Sequence, residues 1–569
     1  MIDLSIVIAT YNRRDLLRRC LDALSRQRYP ADRFEVVVVV DGSTDGTVEM
    51  LNRYTGLVNL SAIRQGNQGP AVARNVGIKR AVGEYILFLD DDIILEPSCI
   101  SEHVNAQRER EGIVGVGRIT IKLAKHADGF TRWFASWWNG HYQRLERDEN
   151  PKWIDCYSGN LSVPASAVEQ IGGFVEDLSR GEDVELGYRL LGLGLPVVYL
   201  PHAMGHQTYV KRARDILFDA KKQGASSIQL YQRHPAMLPD LPLARFGEAT
   251  WRAAFLRSLL LSIRAPALIP IRIGDLDLNE RWQNLWYAFA HNYAFWMGVR
   301  RAAPNEDMWR RLTSGTCILM YHGFAARGEG PTRYLVSARR FAWQMTLLKL
   351  ARRNVVSLED YLRCRNDNRL PPPGSVIITI DDGYLDNARV PSPTLCRHHF
   401  PATIFVVSSW IGKKNEWDSD TELTGRALMS REDLLALAGA GIEIGAHTRT
   451  HPRLPSLPPA QLEEEVAGSR ADLEKLLDKP VVSFSYPYGA VDEVVEAAAQ
   501  EAGFLGACCV QTGLNSLATP LFQLRRTEIK GNESLLRFPL SLSLGRSGLS
   551  EGGKRPRGLG FGAWIRGLV

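Results

Sequence analysis

Apolar runs and their spacing set out two successive α/β patterns along the chain. Residues 4–9 form a short strand-like run, and 14–24 alternate leucines with arginines at helical spacing. The run 34–40, Phe-Glu-Val-Val-Val-Val-Val, predicts a parallel strand buried on both faces. A helix over 71–80 and a strand over 85–89 follow, then a helix over 184–191 and a strand over 197–200. Strands alternating with helices predict a doubly wound sheet that binds ligands at the carboxyl ends of its strands.

From about residue 210 to 312 the pattern turns helical, basic and tryptophan-bearing, and reads as a helical connector. A second α/β pattern begins with the strand-like 317–321 and continues through 375–380, 402–407, 442–445 and 482–486. The end of the chain is rich in glycine and arginine. The expected division is therefore 1–210, 211–312, 313–535 and a basic tail 536–569. The two α/β parts share a class but no motif.

Composition narrows this only a little. At 569 residues, two or three domains are expected, and 45% hydrophobic with 23% charged residues excludes bulk disorder. A net charge of +6 over this length suits anionic lipid or nucleotide substrates and gives no indication of nucleic acid as a partner. The eight cysteines include no CxxC pair, which argues against a disulfide scaffold or a thiolate zinc site. The chain opens directly on a strand-like run, not on a secretory leader. Its most apolar stretch, 253–271, is interrupted by Arg257, Arg264, Pro266 and Pro270. The expected location is cytoplasmic, with peripheral contact at the inner face of a membrane left open.

Chemistry enters at the strand ends. The run 34–40 leads into Asp41-Gly42-Ser43, where a carboxylate can accept hydrogen bonds from a base or ribose. The next strand ends in Asp90-Asp91-Asp92, three adjacent acids whose repulsion suggests a bound cation. Oxygen-only ligands suit Mg²⁺ or Mn²⁺ bridged to a diphosphate. Glu182 and Asp183 open the helix near 184, where the dipole favours acids and where a base for an acceptor hydroxyl would sit. His206 is a candidate for the metal shell.

The segments SIVIATYNR, VVVVVDGSTDGT, GNQGPAVARNVGI, YILFLDDDIIL and SRGEDVELGYRL, in this order, resemble family 2 glycosyltransferases of the GT-A fold. The resemblance covers about residues 1–210. It implies that Thr10, Tyr11 and Asp41 hold the nucleoside and that Arg74 lies near the diphosphate. It further implies that Asp90 and Asp92 hold the metal, with His206 as a late ligand, and that Asp183, supported by Glu182, is the base of an inverting transfer. The partners implied are a nucleotide sugar donor and a glycan or lipid-linked acceptor. The QxxRW motif of processive synthases is absent, which favours transfer of one or a few sugars. Trp133, Trp137, Trp138 and Trp153 fall between the metal and base motifs, as acceptor-stacking faces or as packed core.

In the second half, a strand ends in Asp381-Asp382-Gly383, and His447 and His451 stand four apart after another strand. One Asp and two His with open positions form a metal-hydrolase shell suited to Zn²⁺ or another divalent transition metal; the second Asp is then free to take a proton from water. With MYHGF, TIDDG, HTRTH and FSYPYG, the region 316–530 resembles the polysaccharide deacetylases of carbohydrate esterase family 4, the NodB homology domain, a distorted (β/α) barrel. That resemblance makes Asp381 the base and Asp382, His447 and His451 the metal ligands, and places Tyr488 where a backbone amide holds the oxyanion. Two departures stand out. The arginine that orients the base at the start of the third motif is missing, and the late Leu-x-His motif reads Leu524-Arg525-Arg526. His322, His398 and His399 are the alternatives for a proton donor. The reading is a bifunctional enzyme that transfers a sugar and removes an N-acetyl group, O-acetyl being the less favoured target; a metal-bearing glycan-binding module without turnover is the alternative for the second domain.

Overall fold

The computed structural model describes residues 2–110, 112–147, 151–209, 211–248, 251–276, 278–326, 328–418, 421–535 and 537–544. Most of the expected basic tail, from 545 onward, lies outside the described residues. Among the described residues, 2–233 and 257–302 form one compact unit, and 234–256 with 303–544 form a second. The stretch 211–312 is thus divided between them.

The first unit is built on strands β1 (Leu4–Thr10), β2 (Phe34–Asp41), β3 (Leu60–Gln65), β4 (Tyr85–Leu89), β5 (Ile93–Leu95), β6 (Val114–Leu123), β7 (Asn160–Pro164) and β8 (Val197–Tyr209). They form one sheet in the order β3-β2-β1-β4-β7-β6-β8-β5. The first four are parallel; the runs at β1, β2 and β4 were expected as strands, and β3, with its mixed polar sequence, was not. β7 then enters antiparallel to both β4 and β6, so the sheet is mixed. Alternation in β1 explains its burial: Ile6 and Ile8 pack into a core with helix Arg14–Leu24, and Val7 packs into another with Ile86 and Phe88. Helices Ala213–Arg233 and Glu280–Ala302 pack backbone to backbone in this unit. A Cβ added to Gly224 would lie 2.0 Å from the Phe295 carbonyl oxygen, and one on Gly298 1.9 Å from that of Lys221.

The second unit holds β9 (Cys317–Tyr321), β10 (Gly323–Ala325), β11 (Leu335–Ser337), β12 (Val376–Ile380), β13 (Thr403–Val406), β14 (Glu443–Ala446), β15 (Ser483–Ser485), β16 (Gly506–Cys508) and β17 (Thr527–Glu528). Seven of these make a parallel sheet in the order β16-β15-β14-β13-β12-β9-β17. Leu524, just before β17, bridges Cys508 of β16, so this segment spans the gap between the edge strands. Parallel strands put all their carboxyl ends on one rim. The loops after β9, β12, β14 and β15 therefore bring His322, Asp381-Asp382, His447 with His451, and Tyr488 to that rim.

Candidate active sites

In the first unit, the carboxyl ends of β1, β2 and β4 open on a cavity of about 320 Å³, lined by Thr10, Tyr11, Asp41, Arg74, all three of Asp90–Asp92, and Glu182. Asp41 is buried, and its carboxylate accepts from Gln65 Nε2 at 2.8 Å and from the amides of Gln68 and Gly69 at 2.9 Å, which fixes the loop around it. The acid triplet is balanced by arginines. Arg13, which the sequence reading did not assign, donates to Asp91 at 3.0 Å and to Asp92 at 3.1 Å. Arg74 is buried and donates to Glu182 at 2.8 Å and to Asp90 at 2.9 Å. The arginines offset part of the repulsion among the acids; burial, and then the Asp90 charge, still raise the Asp92 carboxyl. Burial pushes the Asp91 carboxyl up to about 6 against the opposing charge of Arg13, while the Thr10 hydroxyl donates to it at 2.7 Å.

The structure does not bring His206 to this cluster. Side chains alternate along β8, and it is Gln207 that lines the cavity and donates to Asp92 at 2.9 and 3.0 Å. His206 Nδ1 instead lies 3.6 Å from Glu96. The expected strand 197–200 runs on to Tyr209, and the facing of residue 206 follows from that longer alternation. Glu182 lines the cavity. Asp183, at the start of helix Glu182–Gly192, is half-buried beside it and accepts from the amides of Val184 at 2.8 Å and Ser158 at 3.3 Å. Burial first, and the Glu182 charge second, push its carboxyl up to about 7. Arg180 and Lys211, also absent from the sequence reading, line the same cavity, and each is paired to Asp219 at 2.6 Å. Of the four tryptophans, Trp133 and Trp153 are core residues; Trp138 donates to the Ile119 carbonyl at 3.0 Å.

On the barrel rim, Asp382, His447 and His451 are, among the described residues, the one group of three histidine, cysteine or acidic donors lying within 4.8 Å of one another. Asp382 Oδ1 is 3.4 Å from His447 Nε2 and 3.5 Å from His451 Nε2. Donors around a tetrahedral ion at about 2.1 Å stand about 3.4 Å apart, so the set fits a divalent transition metal. His447 Nδ1 sits 2.7 Å from the Ser485 carbonyl, which turns Nε2 toward Asp382. Burial first, then the His447 charge, push His451 down to about 3 and keep it the neutral imidazole that a metal ligand must be. Burial alone would raise Asp382; His447, His451 and His322 more than reverse this and hold it well below the usual carboxylate range. Asp382, Thr448, His451 and Tyr488 all have positive φ, from 57° to 75°, a concentration of backbone strain at one site. Tyr488 meets the His451 ring edge-on at 4.7 Å, with Arg453 4.6 Å from its face.

Asp381 points at a different partner. Arg526 is fully buried and grips its carboxylate with two bonds, Nη1 at 2.6 Å and Nη2 at 2.8 Å. The same guanidinium donates to Ser485 Oγ and the Cys509 carbonyl, both at 3.0 Å. The late arginine thus supplies the base-side cation that the third motif lacks. In sequence the two departures looked independent, because nothing in it gives the distance between Asp381 and Arg526. Among the three histidines, His322 follows β9 on the rim, 5.3 Å from the Tyr334 ring. His398 and His399 end the helix that precedes β13, at the opposite end of the strands.

Two stretches of the chain match known family models. The model described as Glycosyl transferase family 2 matches residues 5–172, and the one described as Polysaccharide deacetylase matches 368–507. The chain carries a family 2 glycosyl transferase domain toward its N-terminal end and a polysaccharide deacetylase domain toward its C-terminal end. Validoxylamine A glucosyltransferase of Streptomyces hygroscopicus is 29% identical over 286 residues, 44% of this chain and 65% of that relative's own length. YxkH of Bacillus subtilis, whose name assigns it provisionally to the polysaccharide deacetylases, is 26% identical over 212 residues, 37% of this chain and 70% of that one. A solved structure of the Streptococcus pyogenes deacetylase PplD in complex with acetate is 24% identical, with a TM-score of 0.35 over 40% of this chain and 98% of that one.

Proposed function

We propose that the protein is a bifunctional glycan enzyme with a nucleotide-sugar transferase in its first unit and a metal-dependent carbohydrate deacetylase in its second. The observation that carries the reading is that each family domain has its chemistry gathered at one set of strand ends: the acid- and arginine-lined cavity in one, the Asp-His-His set with a gripped second Asp in the other.

In the transferase, Tyr11 and Asp41 hold the nucleoside, and Arg74 with Arg180 and Lys211 offsets charge on the leaving diphosphate. Mg²⁺ or Mn²⁺ held by Asp90 and Asp92, completed by diphosphate oxygens, would add to that charge stabilisation. Asp183, supported by Glu182, takes the proton of the acceptor hydroxyl as that oxygen attacks the anomeric carbon and the diphosphate departs, with inversion. The donor is a nucleotide sugar and the acceptor a glycan or lipid-linked sugar, on the cytoplasmic side.

In the deacetylase, a divalent ion such as Zn²⁺ held by Asp382, His447 and His451 would polarise the acyl carbonyl and make water a better nucleophile. Asp381, oriented by Arg526, takes the proton from that water. The backbone amide at Tyr488 faces the developing oxyanion, and His322 gives a proton to the departing sugar amine, releasing acetate. A second reading, a glycan-binding module without turnover, is favoured by one observation: the residue in the usual proton-donor motif is an arginine, buried and bonded to Asp381, Ser485 and Cys509.

The test incubates the protein with a panel of nucleotide sugars, acetylated glycans and Mn²⁺, following nucleotide and acetate release separately. Asp92→Ala is expected to silence the first signal only and Asp382→Ala the second only. Either variant silencing both would overturn the two-site reading. Acetate release that survives Asp381→Asn would remove Asp381 as base, and its absence in the wild type would leave the binding-module reading.

A further inference from the structure

Helix Trp251–Ser262 has its polarity inverted toward its C-terminal end. Arg257 is 2% exposed, with its guanidinium 2.7 Å from Asn292 Oδ1 and 5.5 Å from the Trp296 ring. Leu259 is 47% exposed, and Ile263, four residues on and on the same face, is 65% exposed. The apolar exposure continues through Leu268, Ile269 and Leu276 (58%) to Trp282 (55%). Between residues 253 and 274 the chain has three arginines and no acidic residue. Two of them, Arg264 and Arg272, are exposed among these side chains, and Arg281 adjoins Trp282.

Apolar side chains turned outward, with exposed arginines between them and a tryptophan at the edge, complement an anionic lipid surface. Among the described residues no helix is long and apolar enough to cross a membrane, so the fit is in the plane of the surface. A second copy fits less well. Two-fold pairing about this stretch would set Arg264 and Arg272 against their own copies, whereas the core of a protein interface is depleted of charge. We propose that residues 259–272, ahead of the acids at 275, 277 and 280, seat the protein peripherally on an anionic bilayer, with Leu259 and Ile263 entering the headgroup region. This goes beyond the transfer and deacetylation reading and does not depend on it.

The test sediments the full chain, without sugar substrates, with vesicles of phosphatidylcholine alone or mixed in equal parts with phosphatidylglycerol. The wild type is expected to bind the mixed vesicles, to bind phosphatidylcholine far less, and to lose binding as salt rises. The double variant Leu259→Glu, Ile263→Glu is expected to lower the partition coefficient by about a hundredfold, and Arg264→Ala or Arg272→Ala by about fivefold each. Leu350→Glu, an equally exposed position in the second unit, is the control and is expected to change nothing. Circular dichroism and nucleotide release establish that the variants are folded. Equal binding by the double variant and the wild type overturns the proposal. So does a wild type that ignores both vesicles, or one that self-associates through this patch in gel filtration.

Discussion

A guanidinium carries five N–H donors, and Arg526 spends two on Asp381 and others on Ser485 and Cys509, so the carboxylate is held on a fixed bearing. Breaking such a buried pair outright would cost about 3–5 kcal/mol, so Arg526→Lys tests its role better than alanine. Lysine keeps the charge but not the fork, and acetate release is expected to fall about tenfold or more. Burial raises the Asp381 carboxyl and the Arg526 charge more than reverses that, leaving it below its ordinary value. A weaker grip lets it rise, so the acidic limb of the pH–rate profile is expected to move to higher pH. A fall in rate with an unmoved limb would mean that Arg526 serves the fold alone. In the transferase the sign runs the same way from a different start. Burial and the Glu182 charge hold the Asp183 carboxyl well above the usual carboxylate range, so nucleotide release is expected to go on rising with pH above that range as the carboxylate forms. Asp183→Asn is expected to abolish the rise and lower kcat about 10²–10⁴-fold. A rise that persists in the variant would assign the base elsewhere. The residues proposed for this chemistry were legible because they stand at or after strand ends or, for Glu182 and Asp183, at a helix start, in recognisable motifs. Arg13, Gln207 and the Asp381–Arg526 pairing were not, since they matter only through partners remote in sequence.

At the scale of elements, the contact between helices Ala213–Arg233 and Glu280–Ala302 is set by two glycines whose Cβ positions are already filled by backbone oxygen. A carbonyl oxygen 1.9 Å from a new Cβ cannot rotate away as a side-chain tip would. Gly298→Ala is therefore expected to force the helices apart and to destabilise the first unit by about 1–3 kcal/mol, seen as a lowered thermal midpoint. Gly192→Ala, where a Cβ meets nothing within 4 Å, is expected to be nearly neutral or slightly stabilising. An unchanged midpoint in Gly298→Ala would mean that the helices slide past each other at little cost. Strands β2 and β4 were legible because continuous apolar runs have few other uses. β8 was not: only its first residues are strongly apolar, so its length, and with it the facing of His206 and Gln207, was fixed by pairing with β6 and β5. The antiparallel entry of β7 was equally invisible, since local pattern says nothing about strand direction.

At the scale of the whole molecule, the two family domains are legible in the motifs clustered in each half. How the chain is shared between the units is not written in any motif. Residues 234–256 pack with the second unit: the Ala518 amide donates to the Ala244 carbonyl at 3.2 Å, and Phe246 meets Trp309 edge-on at 6.0 Å. Residues 257–302 then return to the first unit, where Tyr293 donates to the Ala265 carbonyl at 2.7 Å. A single cut between Ala302 and Ala303 would therefore leave one piece of the second unit covalently attached to the first. Met237, Leu238, Leu241, Leu243 and Phe246 are all buried, and at about 1.5–3 kcal/mol per side chain their withdrawal into water is costly. With a specific protease site inserted at that junction, the cleaved halves are expected to co-elute in gel filtration under native conditions and to part only in denaturant. Halves that separate in native buffer would show that 234–256 is held too weakly to count as part of the second unit.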